Sequence, residues 1–344
     1  MKGMSPTKSG VLFLIMVLSS IGASLLLSLL AVRRGSFDIP VNIGIILSQG
    51  LIVIPALIFA ICAKASARES FRFRPVKFST ILLTILYVMC LEPLIMTLNA
   101  FTMLFTDNAA VEIANGFTEA DFSLSYMIFI IAIVGPFCEE FVFRGIIYSG
   151  LRQSGRILAA IVIQGIMFGF MHLNVNQMAY AVVIGIAFGL LSEVTGSIWP
   201  GFAGHFFING SSTILTWVVS KNGELLSSAD DLTKEMLLTA MLSYAVVSVF
   251  FTGMAIVLLN VIAGNEPGGK MRLLRIIHPV KHHEVGCDGL VHEVKRPHAI
   301  TIPAVLGLLL CAVMMCLNLI KVTPTGGEDK LVRAAMMCLN LIKE

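Results

Sequence analysis

Nine apolar runs of about membrane-crossing length follow one another along the chain, at 10–32, 41–63, 79–105, 124–149, 157–173, 177–195, 198–220, 236–263 and 299–320. A helix needs about 20 apolar residues to cross the hydrocarbon core. In lipid its backbone groups must be satisfied within the segment, which leaves helices as the element such runs can form. Composition agrees: 57% of residues are hydrophobic and 13% are charged, against about 25% charged in soluble domains. Mean hydropathy is +0.89. The expected fold is an all-α, polytopic transmembrane helical bundle of eight or nine spans. The runs near 165 and 185 are short and glycine-interrupted.

The runs group into four stretches. Residues 1–78 hold two N-terminal spans and a basic connection, 79–263 form the membrane core, 264–298 are a basic, histidine-rich loop, and 299–344 hold a final span and tail. Lys2 and Lys8 precede the first run, but it is too long for a signal peptide and no A-x-A-like site closes it, so a retained span is expected. Basic residues concentrate in 64–78 (Lys64, Arg68, Arg72, Arg74, Lys77), at Arg152 and Arg156, and in 264–298, whereas 106–123 has no Lys or Arg. The positive-inside bias then puts the N-terminus in the cytoplasm, with Arg33 and Arg34 the exceptions. Compact loops and the lack of targeting motifs fit a bacterial plasma membrane. The net charge of +3 gives no reason to expect a nucleic-acid partner.

Seven cysteines are scattered without a CxxC pair, so neither a disulfide framework nor a zinc finger is expected. The loop concentrates His278, His282, His283, His292 and His298 with Cys287 in no tight ligand spacing; with Lys270, Arg272, Arg275 and Lys281 it reads as a segment lying on anionic headgroups. Met314-Met-Cys-Leu-Asn-Leu-Ile-Lys321 recurs as Met336-Met-Cys-Leu-Asn-Leu-Ile-Lys343, a local duplication rather than a repeat architecture.

The fourth run, Ile131-Ala-Ile-Val-Gly-Pro-Phe-Cys-Glu-Glu-Phe-Val-Phe-Arg144, carries three ionisable groups in an otherwise apolar segment. Ionisable residues at membrane depth are costly and point to function. Glu140 and Arg144 are i,i+4 neighbours on one helix face and can compensate each other's charge. Glu139 lies about 100° around the helix from Glu140, free to face another helix or a water. Glu139 is the candidate base and Glu140 the brace; a purely structural ion pair with a spare carboxylate is the alternative. Two histidines lie on following spans, His172 in Phe168-Gly-Phe-Met-His172 and His205 in Gly204-His-Phe-Phe-Ile-Asn209. At ~1.5 Å rise per residue, Glu139, His172, His205 and Asn209 fall at overlapping depths, roughly 10–22 Å from the basic side. Gly165, Gly169, Gly185, Gly189, Gly201 and Gly204 allow close helix approach. Pro136 and Pro200 are candidate kinks. Glu92 and Glu193 are further intramembrane acids, facing either the site or a packing partner.

Glu139-Glu140-xxx-Arg144, Phe168-xxx-His172 and His205-xxx-Asn209 resemble, in order and in internal spacing, the three motifs of the CPBP family, also called the Abi or CAAX-protease family, which includes the type II CAAX prenyl endopeptidases. The resemblance covers about residues 79–260. It implies an intramembrane endopeptidase in which Glu139 and His172 hold and deprotonate a water, His205 and Asn209 stabilise the oxyanion, and Glu140 with Arg144 braces the helix or grips a substrate carboxylate. The implied partners are a peptide or protein substrate, prenylated or not, and the bilayer. No cofactor is expected. The alternative is zinc held by Glu139, His172 and His205 as a His₂Glu set, since the family has been described both as metal-dependent and as metal-independent. A different class of reading is a non-catalytic scaffold or immunity factor, or a transporter with a midplane polar site.

Overall fold

The computed structural model describes residues 3–34, 41–64, 70–106, 122–222, 233–278, 283–285, 291–293 and 297–319. Arg68, His282, Cys287, Arg296, most of the 106–123 connection and the second copy of the duplicated octapeptide lie outside these residues, as do the side chains of His283 and His292.

Every predicted run forms a helix. They are α1 (Pro6–Arg34), α2 (Val41–Cys62), α3 (Phe78–Met103), α4 (Leu124–Ser154), α5 (Ile157–Met171), α6 (Val175–Thr195), α7 (Trp199–Ser220), α8 (Lys234–Asn265) and, after a short α9 (Gly269–Ile277), α10 (Ile302–Leu319). Six of them, α1 to α4, α6 and α8, are long and apolar enough to cross a membrane, and the protein is a multi-pass membrane protein. Helix α5 is too short, at 15 residues, and α10 is one of the shorter apolar helices. In α7 the His, Asn, Ser and Thr side chains dilute an otherwise apolar sequence.

The described residues of the 264–298 stretch include, besides α9, a short antiparallel pairing of β1 (His283–Val285) with β2 (Val291–Glu293), in register His283 to Glu293. These three-residue strands leave the all-helical class unchanged.

Local sequence sets the helix ends. Asn174 starts α6 by accepting from the backbone N–H of Asn176 at 2.8 Å and of Gln177 at 3.4 Å, satisfying donors a helix N-terminus leaves free. Gly196, at φ +73°, stops the same helix in the left-handed conformation. Pro200 lies in the first turn of α7, where its missing N–H costs nothing; it opens that helix rather than kinking it.

The helices alternate in direction. At one end Gly3 N donates to Ala63 O at 3.2 Å, Ser197 Oγ to Arg74 O at 2.6 Å and Lys77 N to Glu266 Oε1 at 3.0 Å. At the other end Asn176 Nδ2 reaches Asn99 Oδ1 at 3.1 Å and Thr102 Oγ1 at 3.1 Å. Lys8, Lys64, Arg72, Arg74, Lys77, Arg152, Arg156, Lys270, Arg272 and Arg275 all belong to the first end, called the basic end below.

The first span is no loose addition to the core. Leu12, Phe13, Met16 and Val17 of α1 are fully buried, and Ser9 Oγ donates to Ile147 O on α4 at 2.9 Å.

Helices α5 and α6 cross with backbone close to backbone. A Cβ on Gly185 would stand 2.7 Å from Gly165 Cα, and one on Gly169 would stand 2.8 Å from Met178 O. With no hydrophobic drive between helices in lipid, such backbone contact replaces it. Gln164 adds a hydrogen bond from Nε2 to Gly185 O at 2.6 Å. Gly185→Val is expected to overpack this crossing and destabilise the protein by roughly 1–3 kcal/mol, lowering the thermal unfolding midpoint in detergent, whereas Gly22→Ala, with nothing within 4 Å of the added Cβ, should leave it unchanged.

Candidate active site

Helix α4 carries the acids and is not a regular α-helix. It is π-helical over Ile128–Val134, α-helical over Gly135–Glu140 and π-helical again over Phe141–Ile147. Pro136 accounts for the first irregularity. Gly135 N donates to Ile130 O and Pro136 has no N–H, so the carbonyl of Ile131 lacks a donor from its own helix. Asn209 of α7 supplies one, Nδ2 to Ile131 O at 3.1 Å. Isolated π turns of this kind occur often at functional sites.

Glu140 is the hub. Its side chain is completely buried, and Oε1 lies 2.8 Å from Arg144 Nη1 and 3.1 Å from His205 Nδ1. Gly201 of α7 makes room: a Cβ there would stand 2.5 Å from Glu140 Oε2. Arg144 is also fully buried, its guanidinium 4.2 Å from the ring centre of Phe168 and 5.4 Å from that of Phe188. Face-on aromatic contact of this type offsets part of the cost of desolvating a cation.

His205 links the two glutamates. Nδ1 faces Glu140, while Nε2 lies 3.7 Å from Glu139 Oε2, beyond direct hydrogen-bond distance. If Nδ1–H is donated to Glu140, Nε2 accepts a proton when the ring is neutral and donates when it is charged. Glu139 is the more accessible acid, 17% exposed in its side chain against 0% for Glu140.

His172 stands at the end of α5, its Nδ1 2.9 Å from Phe168 O. It packs edge-on to Phe168 with ring centres 5.0 Å apart, and Phe168 meets His205 in the same way at 5.9 Å. Leu173, the next residue, is buried and held at φ +51°, a conformation uncommon outside glycine. Among the described residues no hydrogen bond or ion pair joins His172 to Glu139, and no three His, Cys, Asp or Glu side chains are placed to hold a metal ion. The Glu139, His172 and His205 set therefore does not form a ready zinc site here. Asn209, one turn along α7 from His205, meets α4 at Ile131, eight residues before Glu139, with one of its N–H groups committed there.

Some features were hidden from sequence. The contact of Glu140 with His205 depends on how α4 and α7 pack and has no local signature. A ring cluster, Phe71, Phe73, Phe137, Phe141, Trp199 and Phe202, gathers around the two phenylalanines that flank the acids in sequence; Phe73 stacks on Phe137 at 6.3 Å and 10°. It joins three separate segments. Glu193 is a packing acid: Arg152 grips it through Nε at 2.7 Å and Nη2 at 2.8 Å, and Tyr148 donates to it at 2.9 Å. Glu92 is half-buried and has no hydrogen bond or ion pair among the described residues. The described cysteines, Cys62, Cys90, Cys138, Cys311 and Cys316, are all free.

A multi-pass helical membrane protein with a buried Glu–Arg pair, a second glutamate and a bridging histidine is the class this fold and site define. Residues 121–211, roughly a quarter of the chain, match the family described as "Rce1-like: Type II CAAX prenyl endopeptidase Rce1-like". The matched stretch runs from the start of α4 to just past Asn209 and contains all three motifs, but is narrower than the 79–260 of the motif resemblance. The "Putative membrane peptidase YdiL" of Bacillus subtilis (strain 168) is 31% identical over 83 residues, covering 24% of this chain and 34% of that protein. The match thus spans about a third of that relative's length. No solved structure matches the chain.

The hub gives a stability prediction. Removing one partner of a buried pair costs roughly 3–5 kcal/mol, and replacing both restores part of it. Arg144→Met should therefore lower the unfolding midpoint sharply, and Glu140→Gln combined with Arg144→Met should be more stable than Arg144→Met alone; a double-mutant cycle followed by thermal unfolding in detergent checks this.

Proposed function

We propose that the protein is an intramembrane endopeptidase that hydrolyses a peptide bond in a membrane-associated peptide or protein. The observation that carries the reading is His205 set between two carboxylates, one paired with a buried arginine and the other, Glu139, with no ion pair to a Lys or Arg among the described residues. The 3.7 Å between His205 Nε2 and Glu139 Oε2 is a separation at which one water is within reach of both.

In the proposed reaction Glu139 takes a proton from a water, and the hydroxide so formed attacks the scissile carbonyl carbon. The negative charge moves to the carbonyl oxygen. His205, flanked by Glu139 and Glu140, donates to that oxyanion from Nε2, and Asn209 donates its remaining N–H. Collapse breaks the C–N bond, and the proton held by Glu139 passes to the leaving amine. His172 assists by holding the water, and Glu140 with Arg144 fixes the direction in which His205 points. Preorganised donors of this kind are worth most where water is excluded. No step uses a metal.

The similarity to type II CAAX prenyl endopeptidases and to a membrane peptidase supports this reading; a prenylated C-terminal peptide is one substrate that fits it. The basic end is proposed to face the cytoplasm, with the N-terminus on that side of a bacterial plasma membrane.

The test compares purified wild type and Glu139→Gln on prenylated and unprenylated fluorogenic peptides, with and without a chelator. Wild-type cleavage is expected to survive the chelator. Glu139→Gln is expected to lose activity by roughly 10²–10⁴-fold, the usual contribution of a positioned general base, with its unfolding midpoint unchanged. Cleavage that persists in Glu139→Gln would sink the mechanism, and cleavage abolished by the chelator would replace it with the zinc form.

A further inference from the structure

The basic end carries more cation than its own carboxylates use. Two glutamates with described side chains lie there, Glu193 and Glu266. Glu193 is taken by Arg152 and Tyr148, with Arg72 Nη2 3.7 Å away. Glu266 Oε1 accepts from Thr80 Oγ1 at 2.5 Å and from Lys77 N at 3.0 Å. Neither reaches Arg74, whose guanidinium has no hydrogen bond or ion pair among the described residues and is exposed.

Arg74 does not stand alone. The point where a Cβ on Gly196 would sit is 3.7 Å from Arg74 Nη1, 3.7 Å from Arg272 Cζ and 3.9 Å from Arg272 Nη1. Two guanidinium groups thus converge above one glycine, which at φ +73° offers bare backbone between them. Arg272 is anchored by Nε and Nη2 to Val194 O at 3.1 and 2.8 Å, and by Nη2 to Pro267 O at 3.0 Å, so its Nη1 stays uncommitted. Burial lowers the Arg272 pKa; Glu193 and Glu266 oppose that shift, and the charges of Arg74 and Arg152 add to it. Two guanidinium groups held this close, one with an uncommitted Nη1 and the other exposed, attract an anion with oxygens to share between them.

Helix α9 says which anion. It sets Arg272 on the Gly196 side while Met271, Leu274 and Ile277, one turn apart, are exposed with Lys270 and Arg275 beside them. Its other side is packed, with Ile276 buried. An apolar strip edged by cations, at the end of a membrane bundle, suits the boundary between headgroups and acyl chains.

We infer that Arg74 and Arg272 form, over Gly196, a site for the phosphate of an anionic phospholipid, at the membrane boundary where α9 presents its exposed Met271, Leu274 and Ile277. The occupant ties together three parts of the chain. Segment 70–77 is already sewn to the α6–α7 turn by Ser197 Oγ to Arg74 O and Ile198 N to Arg72 O, α9 is held to the end of α6 by Arg272, and the lipid bridges α9 to Arg74. Since α7 begins there, the same headgroup steadies the base of the helix that carries His205. The inference rests on the membrane fold and not on peptidase activity.

The experiment is native mass spectrometry of the full chain released from nanodiscs of mixed phosphatidylglycerol and phosphatidylcholine with identical acyl chains. Wild type is expected to retain phosphatidylglycerol preferentially. Arg74→Gln, an exposed side chain whose loss leaves the backbone contacts in place, is expected to reduce that preference roughly fivefold, the scale of one basic group near an anionic surface. Arg74→Lys should keep most of it, and Lys234→Gln at the opposite end should keep all of it. Equal retention of the two lipids by wild type, or an unchanged preference in Arg74→Gln, overturns the site. A thermal shift in detergent from inorganic phosphate that matches the shift from phosphatidylglycerol, and is lost in Arg74→Gln, overturns the lipid assignment in favour of a soluble phosphate.

Discussion

The central part of the structure depends on one carboxylate. Glu140 is fully buried and holds a fully buried cation on its own helix and a histidine on another. A lone guanidinium at this depth would be prohibitive, and a lone carboxylate scarcely better; together they hold only if α4, α5, α6 and α7 meet at fixed distances. Phe168 of α5 and Phe188 of α6 cover the guanidinium. Gly201 keeps α7 close enough for His205 to reach in. The close α5–α6 crossing at Gly165 and Gly185 then fixes where those two rings stand.

Much of the fold was legible because membrane helices announce themselves by length and hydropathy. All nine apolar runs are helices, and the clustering of Lys and Arg marks which helix ends lie together. What the pattern could not deliver was depth. Helix α5 falls short of a full crossing, and the histidine-rich stretch after α8 folds partly into an amphipathic helix whose strip of apolar residues is too short to read as a span. Pro200 illustrates a different limit: a proline signals an irregularity, but only the helix boundary decides whether it starts a helix or bends one.

For the candidate site, the i,i+4 spacing of Glu140 and Arg144 was sufficient to anticipate their pairing, and the three short motifs are what single out the histidines and the asparagine as candidates. The relation between motifs was not legible. Sequence spacing assigns His205 to Asn209's helix face but says nothing of the neighbour, so the bridge from Glu140 through His205 towards Glu139 emerged only from packing. The resting hydrogen bond of Asn209 to a freed carbonyl of α4 was equally hidden, since it arises from a proline five residues further along another helix.

The two π-helical stretches of α4 bracket the turn that holds Glu139 and Glu140. Each widened stretch takes up an extra residue within its turns, and so resets the angular phase of whatever follows it. The acidic turn is thereby decoupled in rotation from both ends of its own helix. Its carboxylates can be aimed at α7 while the flanking segments keep their own apolar faces against α1, α2 and α5. A single-residue deletion in either stretch would leave composition and hydropathy almost untouched, yet it would swing the acids by about 100° relative to one end of the span.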